Sequence, residues 1–98
     1  MLTPTGAAPL ASLKQWLAIS VGQEDALLER LLVTAWQACF ASVGIALPTD
    51  WGDVPPALGE GILRYAAHLY RERDRPGSDT PMPTAVAALW RPFRELRL

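Results

Sequence analysis

Apolar residues in this chain recur at intervals of three and four, and no segment sustains the period-two alternation of a half-buried strand. Leu10, Leu13 and Leu17 share one face with Trp16 beside them, predicting a first helix over residues 10–19. Pro9 suits its first turn, where the missing N–H has no helical partner to lose. Ser20-Val21-Gly22 interrupts the pattern. A second and longest helix is expected from Gln23 to Val43, with Glu24 and Asp25 at the positive end of its dipole and Gly44 as the residue beyond its end. Its main stripe is Leu27, Leu28, Leu31, Ala35, Ala38 and Cys39. A second stripe of Val33, Trp36 and Phe40 lies about 100° further round, leaving only Arg30, Gln37 and Thr34 as a polar arc. A helix apolar on so much of its circumference must be covered on more than one side, by its own domain or by another subunit.

Residues 44–54 read as a loop, and Pro55-Pro56 restart the chain as a third helix to about Asp74. Leu58, Ile62, Ala66, Leu69 and Tyr70 lie on one side of it, with Arg64, His68 and Arg71 opposite. Gly59 and Gly61 each weaken this helix by up to about 1 kcal/mol relative to Ala, and fit best where another helix passes close. Residues 75–83, rich in Pro and Gly, form a loop. A last short helix runs from Thr84 to Trp90, where Pro92 is expected to stop or kink it, and Phe93 to Leu98 form an irregular or single-turn tail. The expectation is an all-α single domain over residues 1–98: a compact bundle of about four helices with one long central helix, a flexible lead at 1–8 and a tail at 91–98.

Composition adds two constraints. Half of the 98 residues are apolar, more than one small domain hides easily, which favours a subunit of an assembly. The formal charge is −1, whereas a free DNA-binding module usually carries a basic excess. Positive charge is local: Arg91, Arg94 and Arg97 face only Glu95 in the last eight residues. Cys39 is the single cysteine, so no internal disulfide and no Cys-based metal site is expected, and its apolar helical setting reads as a buried structural thiol. No membrane span or signal peptide is expected, which points to a reducing cytosol.

Candidate chemistry is sparse. His68 reads as a solvated or subunit-contacting side chain, since no nucleophile or orienting carboxylate converges on it apart from Glu72 one turn on. The acidic pairs Glu24-Asp25 and Asp50…Asp53 are accounted for by a helix start and a solvated loop. Phosphate-loop, dinucleotide, zinc-protease and nucleophile-elbow motifs are missing, so no enzyme and no cofactor is expected. The alternating Arg71-Glu72-Arg73-Asp74-Arg75 is either a solvated helix end or a cluster facing DNA phosphates. Trp90, Phe93, Arg94, Leu96, Arg97 and Leu98 form an apolar, Arg-bearing tail of the kind that docks on a partner.

Several segments, taken in order, carry a resemblance: Leu13-Lys14…Leu17, Glu24-Asp25, Val54-Pro55-Pro56, His68-Leu69-Tyr70-Arg71-Glu72-Arg73, and Val86…Leu89-Trp90-Arg91-Pro92-Phe93-Arg94. The chain from about Leu10 to Leu98 resembles the small head–tail connector (adaptor) proteins of tailed phages and phage-derived particles, including prophage and gene-transfer-particle members. It departs from their pattern at Ala18, where a basic residue is usual, and at Ala41-Ser42-Val43-Gly44, where an aromatic-Gly turn is usual. The resemblance implies a structural virion protein, assembled in the bacterial cytoplasm, that forms a homo-oligomeric ring beneath the portal, a dodecamer being the candidate count. Such a ring extends the DNA channel, joins capsid to tail through a downstream tail or stopper protein, and lets DNA pass without specific binding or any membrane contact. On that reading Val33, Trp36 and Phe40 form a subunit interface. Trp90, Phe93, Arg94, Leu96, Arg97 and Leu98 dock on the portal or a neighbour, and Arg64, Arg71 and Arg73 face the channel. The alternative is a small helical DNA-binding regulatory module, and an enzyme resting on His68 and Cys39 is the weakest reading.

Overall fold

Four α-helices and one short 3₁₀ turn build the domain in the computed structural model, which describes residues 7–44, 51–72 and 82–95. Helix α1 spans Ala7–Leu17, α2 Asp25–Val43, α3 Pro56–Glu72 and α4 Thr84–Glu95, with the 3₁₀ turn at Trp51–Asp53 before α3. The fold is all-α, as the periodicity predicted. Helices α2 and α3 form the central pair, and each also packs on both α1 and α4.

The helix ends follow from local chemistry. Gly44 adopts the left-handed conformation (φ 73°) and its N–H donates to the Phe40 carbonyl, closing α2 as expected. Helix α1 ends the same way without a glycine. The Ile19 N–H donates to the Lys14 carbonyl and the Ala18 N–H to that of Gln15, the paired bonds of a Schellman motif, with Ala18 at φ 59°. Ile19 then packs against the core, the apolar contact that accompanies this cap. At the start of α2, Glu24 makes no side-chain cap; its Oε1 instead accepts from the Tyr70 hydroxyl at 2.8 Å, and Asp25 pairs with Lys14 at 2.9 Å. The two acids therefore tie α2 to α3 and α1 besides sitting at a helix start.

One core fills the space between the helices: Leu13 from α1, six residues of α2 from Leu28 to Val43, Val54, then Leu58, Ile62, Ala66 and Ala67 of α3, and Val86 and Trp90 of α4. Among the described residues no polar or charged side chain is buried there. On α2 the buried set is Leu28, Leu32, Ala35, Trp36, Cys39 and Val43, an arc that keeps Leu28, Ala35 and Cys39 of the main stripe and Trp36 of the second and adds Leu32 and Val43. Leu27, Leu31 and Ala38 of the expected main stripe are only partly buried. By length and mean hydropathy (1.2) α2 would also cross a bilayer, yet its buried face is the centre of this bundle.

Two helix contacts depend on glycine. Trp90 of α4 lies against Gly61, and a Cβ built there would fall 2.2 Å from the indole Nε1, far inside contact distance. The same Nε1–H donates to the Leu58 carbonyl at 3.3 Å, and the ring meets Tyr65 edge-on at 6.5 Å. A Cβ at Gly59 would meet Trp51 at an ordinary 3.5 Å.

The expected break at Pro92 does not occur. Helix α4 continues through it to Glu95, so residues 91–95 are helical and not an irregular tail. Proline removes one ladder bond to residue i−4 and crowds that carbonyl. Here that residue is Ala88, which is exposed, so water can satisfy its oxygen. Trp90 and Phe93, on either side, are held by the core, and that burial outweighs the proline. The lead is likewise shorter than expected, because α1 already includes Ala7 and Ala8.

Candidate interaction surfaces

Once the core is filled, two different surfaces remain on the domain. The first is the outer face of α2. Ala26, Glu29, Arg30, Val33 and Thr34, spaced at three and four residues, line a broad open depression. Val33 is half-buried there, and Phe40, two turns further along the same flank, is half-buried as well. The depression is open and mixes apolar Ala26 and Val33 with Glu29, Arg30 and Thr34, the character of a contact patch rather than of an enclosed ligand pocket.

Trp36 does not belong to that surface. It is 1% exposed, one of the largest fully buried side chains, and presents nothing to a second copy. Its assignment to a subunit interface is therefore corrected. The indole completes the core between α2 and its neighbours because no smaller residue at that position would fill the gap. Trp90 is corrected for the same reason: at 0% exposed it anchors α4 on Gly61 and cannot dock on a partner in the folded domain. Phe93 is half-buried and packs against the same core. Arg94 is placed on α4, while Leu96, Arg97, Leu98 and Arg73 lie outside the described residues.

The second surface is a cleft where α1, α3 and the start of α4 meet. Trp16, Arg64, His68, Arg71, Pro83, Ala85 and Val86 line it, enclosing about 230 Å³. Arg64, His68 and Arg71 follow one another at i, i+4 and i+7 and so rise along one face of α3. Arg64 is fixed twice. Its Nε donates to Glu60 one turn back at 3.1 Å, and its guanidinium lies 5.4 Å above the centre of the Trp16 ring. Trp16 keeps 40% of its surface exposed, unusual for an indole and explained here by the cation it supports. Arg71 is exposed and His68 half-buried.

Arg64 and Arg71 thus share one cleft, as the sequence pattern grouped them. His68, expected on the same side of the helix as a solvated or subunit-contacting residue, lies with them, and Trp16, expected beside the apolar face of α1, joins them. The i, i+4, i+7 spacing of the three α3 residues was visible in the sequence; that Trp16 comes to lie beneath Arg64 was not. Among the described residues no three His, Cys, Asp or Glu side chains group as metal ligands. Cys39 is fully buried, and burial pushes its thiol from near 9 up to about 12, which leaves it protonated and unreactive at neutral pH. Neither family models, nor curated proteins, nor solved structures give a match to this chain.

Proposed function

We propose that this chain is a structural subunit of a phage-type head–tail connector, assembling as a ring beneath a portal and carrying no catalytic activity. The observation that carries the reading is the outer flank of α2, where Val33 lines an open depression and Phe40 lies two turns further on, both half-buried after the core is complete. Two further features support it. The sequence segments that resemble the connector proteins occur in the family's order. A ring needs a heterologous contact in which one patch meets a different one on the next copy, and the α2 depression supplies one side of it while the cationic cleft stays open. On this reading the near-neutral chain lets DNA slide through the channel, since each phosphate contact adds salt-sensitive affinity.

The α2 flank is the subunit contact in this proposal, with Val33 and Phe40 as its apolar members. Val33→Glu is then expected to leave the helical circular dichroism unchanged and to abolish ring formation on the portal encoded beside this chain. Light scattering on size-exclusion fractions, with the portal present, reads the outcome. Wild-type chain that neither self-assembles nor joins that portal refutes the connector reading; assembly that survives Val33→Glu refutes the interface. A DNA-binding regulator is the second reading, favoured by the cationic cleft and opposed by the formal charge of −1.

A further inference from the structure

We infer that the cleft walled by Trp16, Arg64, His68 and Arg71 binds a single phosphate oxyanion, presented by a nucleic-acid strand or free in solution. The site is complete in one folded copy, so the inference stands apart from ring assembly.

Three features converge on it. First, the lining is one-signed: among the described residues it contains two guanidinium groups and an imidazole, and no carboxylate. Along α3 the three side chains are separated by about 6 and 4.5 Å at about 1.5 Å of rise per residue, close enough to address one anion together. Second, Arg64 is set in place before any ligand arrives. Glu60 engages only its Nε, leaving both Nη groups free of that bond, and the guanidinium rests over the indole of Trp16. Arg71, by contrast, makes no ion pair among the described residues. Third, α4 begins at the rim. The Val86 and Ala87 N–H groups donate to the Pro83 carbonyl, whereas those of Thr84 and Ala85 precede the first ladder bond at the positive end of the helix.

Size and geometry select the ligand class. A volume of about 230 Å³ lies below the roughly 300 Å³ at which pockets for whole small molecules begin. It suits one tetrahedral group. The two guanidinium groups and the imidazole on the α3 face, with the start of α4 at the rim, offer several N–H donors, which matches the several oxygens of a phosphate better than the two coplanar ones of a carboxylate.

The test is a titration of the intact ¹⁵N-labelled chain, followed by two-dimensional NMR at constant ionic strength. Separate arms use inorganic phosphate, a short DNA duplex, and sodium acetate. Phosphate is expected to shift the Trp16 indole N–H and the Thr84 and Ala85 amides with saturable behaviour, and acetate is not. Arg71→Gln should weaken phosphate binding about tenfold or more, as for loss of a charge-assisted contact, whereas Arg30→Gln on the far face of α2 should not. Circular dichroism of both variants verifies the fold, and Arg64→Lys, which keeps the charge and loses the fork, should weaken binding as well. If the duplex produces the same shifts, with a log–log salt slope of about −1, the phosphate comes from a strand. Binding of inorganic phosphate without the duplex assigns the site to a free phosphate. Shifts that do not localise to the cleft, an Arg71→Gln chain that binds unchanged, or equal binding of acetate overturns the inference.

Discussion

Gly59 and Gly61 stand two residues apart on α3, and the structure predicts opposite outcomes for the same substitution at each. Replacing a helical glycine by alanine gains about 1 kcal/mol of backbone preference wherever the new methyl group fits. At Gly59 it fits, since the nearest atom, on Trp51, is 3.5 Å from the Cβ position. At Gly61 the Cβ would fall 2.2 Å from Trp90 Nε1 and 2.8 Å from Cε2, so the indole must retreat by more than an ångström. Overpacking of this kind costs roughly 1–3 kcal/mol. The retreat also breaks the Trp90–Leu58 hydrogen bond, leaving a buried indole N–H unpaired at about 1–3 kcal/mol. After subtracting the helix gain, Gly61→Ala is expected to destabilise by about 1–5 kcal/mol, while Gly59→Ala is neutral or stabilises by up to about 1 kcal/mol. For a domain of this size each kcal/mol moves Tm by roughly 4–8 °C, so thermal melts followed by circular dichroism separate the two variants easily. A Gly61→Ala, Trp90→Leu double mutant should be less destabilised than the sum of its parts, because the smaller side chain removes the clash. A Gly61→Ala chain as stable as the parent, or additivity in the double mutant, would refute this account of how α4 is seated.

Two further outcomes follow from local geometry. Ala18 holds a left-handed backbone at the end of α1, a conformation that costs an L-residue roughly 1–2 kcal/mol, so Ala18→Gly should raise the urea midpoint without changing the slope of the transition. Cys39 should resist thiol reagents in the native state and react only on unfolding, a comparison that a chromogenic disulfide reagent reads directly. Its raised thiol value also fixes a sign. The folded state favours the protonated form, so this stability is fully present below pH 9 and is lost as pH climbs from there toward about 12. The stability advantage of the parent over Cys39→Ala should therefore shrink by roughly 1–2 kcal/mol between pH 9 and 10.5, measured by urea unfolding, and a constant difference would contradict the burial argument.

The all-α class, the four helices and most of their ends were legible in the sequence, because each rests on near-neighbour chemistry. The spacing of Leu10, Leu13 and Leu17, the glycine after Val43 and the two prolines before Ala57 act within a turn or two of the backbone and need no partner. The expected stop at Pro92 failed for the complementary reason: a proline's local penalty is about 3 kcal/mol, and the burial of Trp90 and Phe93 of the same helix against the distant core exceeds it. Helix α2 shows the limit most clearly. With apolar residues around most of its circumference, the wheel offered two stripes and no means of choosing between them. Packing against α3 and α4 chose an arc overlapping both, keeping Leu28, Ala35 and Cys39 of the first and Trp36 of the second, drawing in Leu32 and Val43 and leaving Val33 and Phe40 half-exposed. The candidate surfaces divide in the same way. That Arg64, His68 and Arg71 share a face of α3 is a property of helical spacing alone. That Trp16 of α1 supports Arg64, and that α4 opens onto the same cleft, is a relation between residues far apart in the chain, fixed only when the three helices pack together.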